Sequence, residues 1–308
     1  MRTVIPAVLS CALLLATPAH ARSVKWLAKG ATVEIQGPVD VPLYRGDYGG
    51  HRPLVRIETP GKSAPRADLA VVDIAHGWTR IGWKTVRQLG LVPEETSLQG
   101  RYAQVVVLPE VRIGDLVIRD LRAQVDDSEV PVLGLAAIPG LATAILASEG
   151  KVRFVPASQG RELVQGVGEA LEIRRQTAGT WKAGSEKEHG NGLALSTPGA
   201  LSGEDGWLQL RTDVSTTHAT PAYDDNRVRR RGGELHLRGR GRIGEVELAE
   251  SWVVRDGSLS DKAEGLVGAL GYDQLYTVDL AVSPSHGLVA VKEAFQPKWE
   301  RAEAVRLE

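Results

Sequence analysis

The chain has 308 residues, of which 43% are hydrophobic and 24% charged, with 34 Gly and 16 Pro. At roughly 100–200 residues per domain, this length suits two globular domains. Lys and Arg total 37 against 38 Asp and Glu; no global basic field argues for nucleic acid or an anionic membrane surface, and the ordinary apolar content excludes a disordered or collagen-like chain.

The first expected element is a secretory signal peptide over residues 1–21. Arg2 forms its positive end, Val4 to Ala16 its apolar run, and Ala19-His20-Ala21 a small-x-small cleavage site. The run is too short to span a bilayer. Cys11, the single cysteine, lies inside it, and Val8 stands three residues before it where a lipid-anchor site has leucine. The mature chain then carries no thiol, which excludes thiol catalysis and thiolate metal sites. An exported protein, periplasmic or secreted, is expected.

Beyond residue 21 the sequence reads as short β-rich runs broken by Gly, Pro, Asn and Asp. Leu54-Val55-Arg56-Ile57-Glu58 alternates, and so does Val246 through Leu248 to Trp252 and Val254. Helical spacing is confined to short stretches, at Trp83–Leu89 and Leu141–Leu146. The chain also repeats itself. Leu54–Gly61 has a counterpart in Leu193–Gly199, Leu69–Ala75 in Leu208–Ser215, and Val111–Leu116 in Gly241–Val246. Val132–Leu135 answers Leu266–Ala269, and Gly150–Phe154 answers Gly287–Val291. These five landmarks recur in one order at an offset of about 130–140 residues. Two diverged copies of one β-rich unit follow: a first lobe over 22–160, a joining stretch over 161–192 and a second lobe over 193–308.

A strand ending in Asp73, then a turn, a short helix, Leu89-Gly90-Leu91, the Ile113-Gly114 hairpin and the Val132-Leu133-Gly134 turn resembles the retropepsin-like aspartic protease unit. Two units in one chain resemble the bilobed pepsin-type arrangement. The resemblance implies an all-β fold of two acid-protease lobes, with Asp73 and Asp213 as the catalytic pair. In that chemistry two carboxylates share one proton; repulsion splits their pKa values, so one acts as base on a water and the other as acid. The resemblance also places Tyr102 on a flap and Gly134 and Gly268 on the substrate-side turns. The family's Asp-Thr-Gly is not kept: Ile74 and Ala75 follow Asp73, and Val214 and Ser215 follow Asp213. Two readings stand, an aspartic endopeptidase or an inactive pseudoprotease that holds a peptide or envelope partner between its lobes.

Other motifs compete less well. Gly239-Arg240-Gly241-Arg242-Ile243-Gly244 spells a dinucleotide fingerprint, but alternation rather than a helix follows it. The run from Arg227 to Arg242 reads as a solvated hairpin or as a patch for an anionic partner. His76 and His218, with Asp73 and Asp213, would make a metal cluster only if the loops met. No Gly-x-Ser-x-Gly occurs. The expectation is a monomer acting on peptide or protein, with neither cofactor nor metal.

Overall fold

The computed structural model describes residues 31–45, 52–60, 65–98, 101–177, 193–220, 229–231, 234–256, 259, 265–298 and 300–301. The expected signal peptide, residues 178–192 of the joining stretch and Arg227 lie outside these residues.

Alternation in the sequence becomes strands whose inward residues fill two closed barrels. The first barrel uses β1 (Leu54–Pro60), β2 (Pro65–Asp73), β3 (Arg80–Gly82), β4 (Arg101–Ile113), β5 (Leu116–Asp126) and β6 (Val132–Gly134). Going round, β1 pairs β2, then β6, β3, β5 and β4 follow, and β4 returns to β1 through Glu58 and Arg112. Closure leaves the ring without a free edge. Its interior is aliphatic, with Val72, Ile74, Ile81, Val111, Ile113, Leu116, Ile118 and Leu133 all buried.

After β7 (Leu141–Leu146) and β8 (Lys151–Pro156), the second barrel repeats the ring with β9 (Leu193–Leu201), β10 (Glu204–Leu210), β11 (Thr217–Ala219), β12 (Glu234–Ile243), β13 (Val246–Arg255) and β14 (Leu266–Leu270). The order is the same: β9, β10, β14, β11, β13, β12 and back to β9 through Gly199 and Ile243. The hairpin glycines also correspond. Gly114 and Gly244 sit at φ 58° and 55°, the left-handed region that a side chain disfavours. The literal dinucleotide fingerprint is therefore a β-hairpin, with no helix to face a pyrophosphate.

A third sheet joins the lobes. Its order is Leu171–Glu172, β16 (Leu288–Glu293), β15 (Val278–Ser283), β7, β8 and Val39–Pro42, with β7 antiparallel to β15. Leu141–Leu146, expected as a helical stretch, is a strand. It is central and covered on both faces, so every position is apolar or small, and period alone cannot separate such a strand from a buried helix. The helix Gly160–Val167 packs Leu163, Val164 and Val167 against Ala142, Ala144, Ala281 and Ala290 of this sheet. The expected helix at Trp83–Leu89 is present. Among the described residues, no helix is long and apolar enough to cross a membrane.

Candidate functional site at the interlobe centre

The two lobes meet where β2 and β10 end. Asp73 closes β2, pairing in register with Gly134 of β6. Beyond it the chain turns, and the turn is held by the carboxylate: Asp73 Oδ1 accepts the N–H groups of Ala75 and His76, both at 3.1 Å.

The strand register decides which residue of the second lobe answers Asp73. In the first barrel Val72 pairs Leu133, the residue before Gly134. In the second, Leu210 pairs Leu270, the residue before Gly271. Gly134 donates its N–H to the Thr79 hydroxyl at 3.2 Å, and Gly271 donates to the Thr217 hydroxyl at 3.0 Å. Arg80 pairs Val132 and His218 pairs Ala269, which places the next strands in the same relation. Asp73 is thus answered by Arg211, Ile74 by Thr212 and Ala75 by Asp213. The partner of Gly134 is Gly271, three residues beyond Gly268.

Thr212 supplies a hydroxyl to the interlobe contact. It accepts the Ile74 N–H at 3.1 Å, and its proton has the Val72 carbonyl and Asp73 Oδ1 within reach, each at 3.1 Å. Reading Val214 as the residue after the second aspartate hides this hydroxyl. The strand pairing shows that one lobe retains it.

Asp73 and Asp213 come together with His76 between them. His76 Nδ1 lies 3.0 Å from Asp73 Oδ2 and 3.7 Å from Asp213 Oδ1, off the hydrogen-bond line to either. The Gln209 amide lies 3.3 Å from His76 Nε2. Donation by that amide makes Nε2 the acceptor and puts the proton of a neutral ring on Nδ1, facing the carboxylates. Asp213 is held more tightly. Arg211 grips it with Nε at 2.8 Å on Oδ1 and Nη2 at 3.1 Å on Oδ2, and Arg80 reaches Oδ2 from the first lobe at 2.9 Å. Burial pushes the Asp213 carboxyl up, but Arg211, His76 and Arg80 together outweigh it and hold it well below the usual carboxylate range.

All of these groups except Arg80 are buried, and Asp73 is only 1% exposed. Asp73, His76 and Asp213 are the only described trio able to hold a metal ion. His218 is elsewhere, with Nδ1 3.4 Å from Asp256. The trio fits a cation poorly, because two guanidiniums occupy Asp213.

The other expected site positions are spread out. Tyr102 lies on β4 opposite Ser97 of the preceding strand, and its side chain is outside the described residues. Gly134 lies against the Trp78 backbone, where a Cβ would stand 2.3 Å from the Trp78 nitrogen. Gly268 lies 2.7 Å, measured from an added Cβ, from the His218 carbonyl. Of the arginine run, Arg238 stands beside Glu250 and over the Trp252 ring, and Arg242 pairs Asp205. Sequence reasoning passed over Arg80, Gln209, Arg211 and Thr212. The one available signal was the pair Arg211 and Asp213 flanking a threonine at the end of an apolar strand.

Two closed barrels of identical strand order on a shared sheet make this the tandem acid-protease fold. The structure is similar to an aspartic proteinase from Irpex lacteus, with 11% identity and a TM-score of 0.49, over 83% of this chain and 97% of that one. It is also similar to a retropepsin-like aspartic protease from Rickettsia conorii, with 12% identity and a TM-score of 0.30, over 40% of this chain and 92% of that one. No family model and no curated protein matches the chain. At these scores the strand order, and not the likeness, carries the fold.

Proposed function

We propose that this protein is a non-catalytic relative of the bilobed aspartic proteases, whose cleft holds an extended peptide or protein partner without cutting it. The observation that carries this reading is Arg211 at the position that answers Asp73. A working pair needs two carboxylates repelling each other over one proton, so that an acid and a base coexist. Here the second lobe offers a guanidinium, and the nearest carboxylate, Asp213, is neutralised by Arg211 and Arg80. With Asp213 held ionised, it has no proton to give a scissile carbonyl. His76 also fills the space between the carboxylates, where a shared water would sit. The acid-protease fold supports peptide as the ligand class, and export is proposed from residues 1–21.

The test is incubation of the purified mature chain with a diverse peptide library from about pH 3 to 8, read by mass spectrometry. No cleavage above a heat-inactivated control is expected at any pH. Cleavage that disappears in both Asp73→Asn and Asp213→Asn would overturn the reading and establish a dyad that works beside Arg211.

A further inference from the structure

The carboxylates of the interlobe centre cannot choose a partner by touching it. Asp73 and Asp213 are 1% and 5% exposed, and Arg211 is buried beside them. Charges that can meet a partner stand further out, on two hairpins, one in each lobe.

Strand register relates these hairpins. In the first lobe Arg80 of β3 pairs Gln124 of β5, Gln124 pairs Val105 of β4, and Val105 pairs Glu94 of the strand Glu94–Leu98. In the second, His218 of β11 pairs Val254 of β13, Val254 pairs His236 of β12, and His236 pairs Arg229 of the strand Arg229–Arg231. His218 stands where Arg80 does, so Glu94 is answered by Arg229. Glu95, opposite Gln104, is likewise answered by Arg230, opposite Leu235. Each position lies three strand spacings from β3 or β11, about 14 Å along the sheet.

The answering positions carry opposite charge. From Glu94 to Val105 the first hairpin holds Glu94, Glu95 and Arg101, a surplus of acid; from Arg229 to His236 the second holds Arg229, Arg230, Arg231 and Glu234, a surplus of base. Glu94 and Glu95 are exposed, and neither forms an ion pair among the described residues. Exposed charges add little to stability, because water screens them; their sign matters to what lies across them. An extended peptide advances about 3.3 Å per residue, so about nine residues cover two such distances of 14 Å.

We infer that the two hairpins select an extended peptide of split charge, with basic residues toward Glu94 and Glu95 and acidic residues toward Arg229, Arg230 and Arg231. This rests on the peptide-holding reading above and deepens it, by giving the partner a chemical class.

Calorimetric titration of the full chain with five nonapeptides, acetylated and amidated, tests it. They are Lys-Lys-Ala-Leu-Ala-Leu-Ala-Glu-Glu, the same peptide with Lys and Glu exchanged, and versions with all four charged positions Glu, Lys or Gln. At about 20 mM salt the tighter split-charge peptide is expected to bind about fivefold or more tightly than the three uniform ones, and its order gives the direction of the bound chain. The advantage should vanish at about 1 M salt, where the Debye length falls to about 3 Å. Glu94→Lys with Glu95→Lys makes both hairpins basic and is expected to transfer the advantage to the all-Glu peptide. Arg229→Glu with Arg230→Glu is expected to transfer it to the all-Lys peptide. Equal binding of all five peptides, a wild-type preference for either uniformly charged one, or a split-charge advantage unchanged in the folded Glu94→Lys, Glu95→Lys protein would each overturn the inference and leave the peptide-holding reading standing. No binding of any peptide would overturn both. Cleavage would overturn the non-catalytic reading alone.

Discussion

The two barrels share a strand order, a closing contact and hairpin glycines of matching φ, yet the ends of β2 and β10 carry opposite charges. The first lobe ends in Asp73-Ile74-Ala75, the second in Arg211-Thr212-Asp213. The difference teaches which parts of the arrangement are architectural. Thr212 still ties the lobes, because its hydroxyl satisfies the buried Ile74 N–H and reaches the Val72 carbonyl. A second carboxylate at the position answering Asp73 is not needed to join the lobes: Arg211 stands there and binds its own neighbour Asp213. Function belongs to the site and not to the fold.

The sharpest way to break the comparison is to remove the cation. Arg211→Met leaves Asp213 buried with one partner fewer, and an uncompensated buried charge of this kind costs about 3–5 kcal/mol. Urea unfolding should show that loss; a change under 1 kcal/mol would mean that Arg80 alone carries the pair. The backbone half of the comparison predicts equal effects in the two lobes. Gly134→Ala and Gly271→Ala place a Cβ 2.3 and 2.4 Å from Trp78 and Thr216 backbone atoms, and each should cost about 3 kcal/mol. A large cost at one and none at the other would refute the equivalence on which the Arg211 assignment rests.

Thr212→Val should cost about 1–3 kcal/mol, because it strands the Ile74 N–H in the core. Ile74→Val at the answering position removes only one methylene and should cost about 1 kcal/mol. The smallest effect is in acid. The Asp213 carboxyl is held below its unfolded value of about 3.9, so its contribution is fully present above that pH and is lost progressively as pH falls from there towards the lower folded value. The urea midpoint should therefore drop below about pH 4, and the drop should be shallower in Asp213→Asn. Identical acid limbs in the two proteins would show that Asp213 is not held ionised.

Much of the fold was legible because repeats survive as spacing. Ile113-Gly114 and Ile243-Gly244 mark the same hairpin because only glycine sits easily at that φ, and apolar alternation marks strands whose inner faces fill a barrel. The candidate site was legible only in part. Matching Asp73 to Asp213 by residue type shifts the second lobe by two positions, which turns Thr212 into a residue before the motif and hides Arg211. Leu141–Leu146 misled for a related reason: a strand buried on both faces shows no period of two.

From its sequence alone, the chain determined two copies of a β-rich unit, their order and the aspartate loops on which to look, since these depend on local pattern and on residues near one another in the chain. Only the tertiary structure decided that Arg211 answers Asp73 and that Arg80 crosses from the other lobe to Asp213. Those relations are set by strand register and by the closing of two barrels on one sheet, which bring together residues more than a hundred positions apart, and charges so separated in sequence reveal whether they balance only once they share a buried volume.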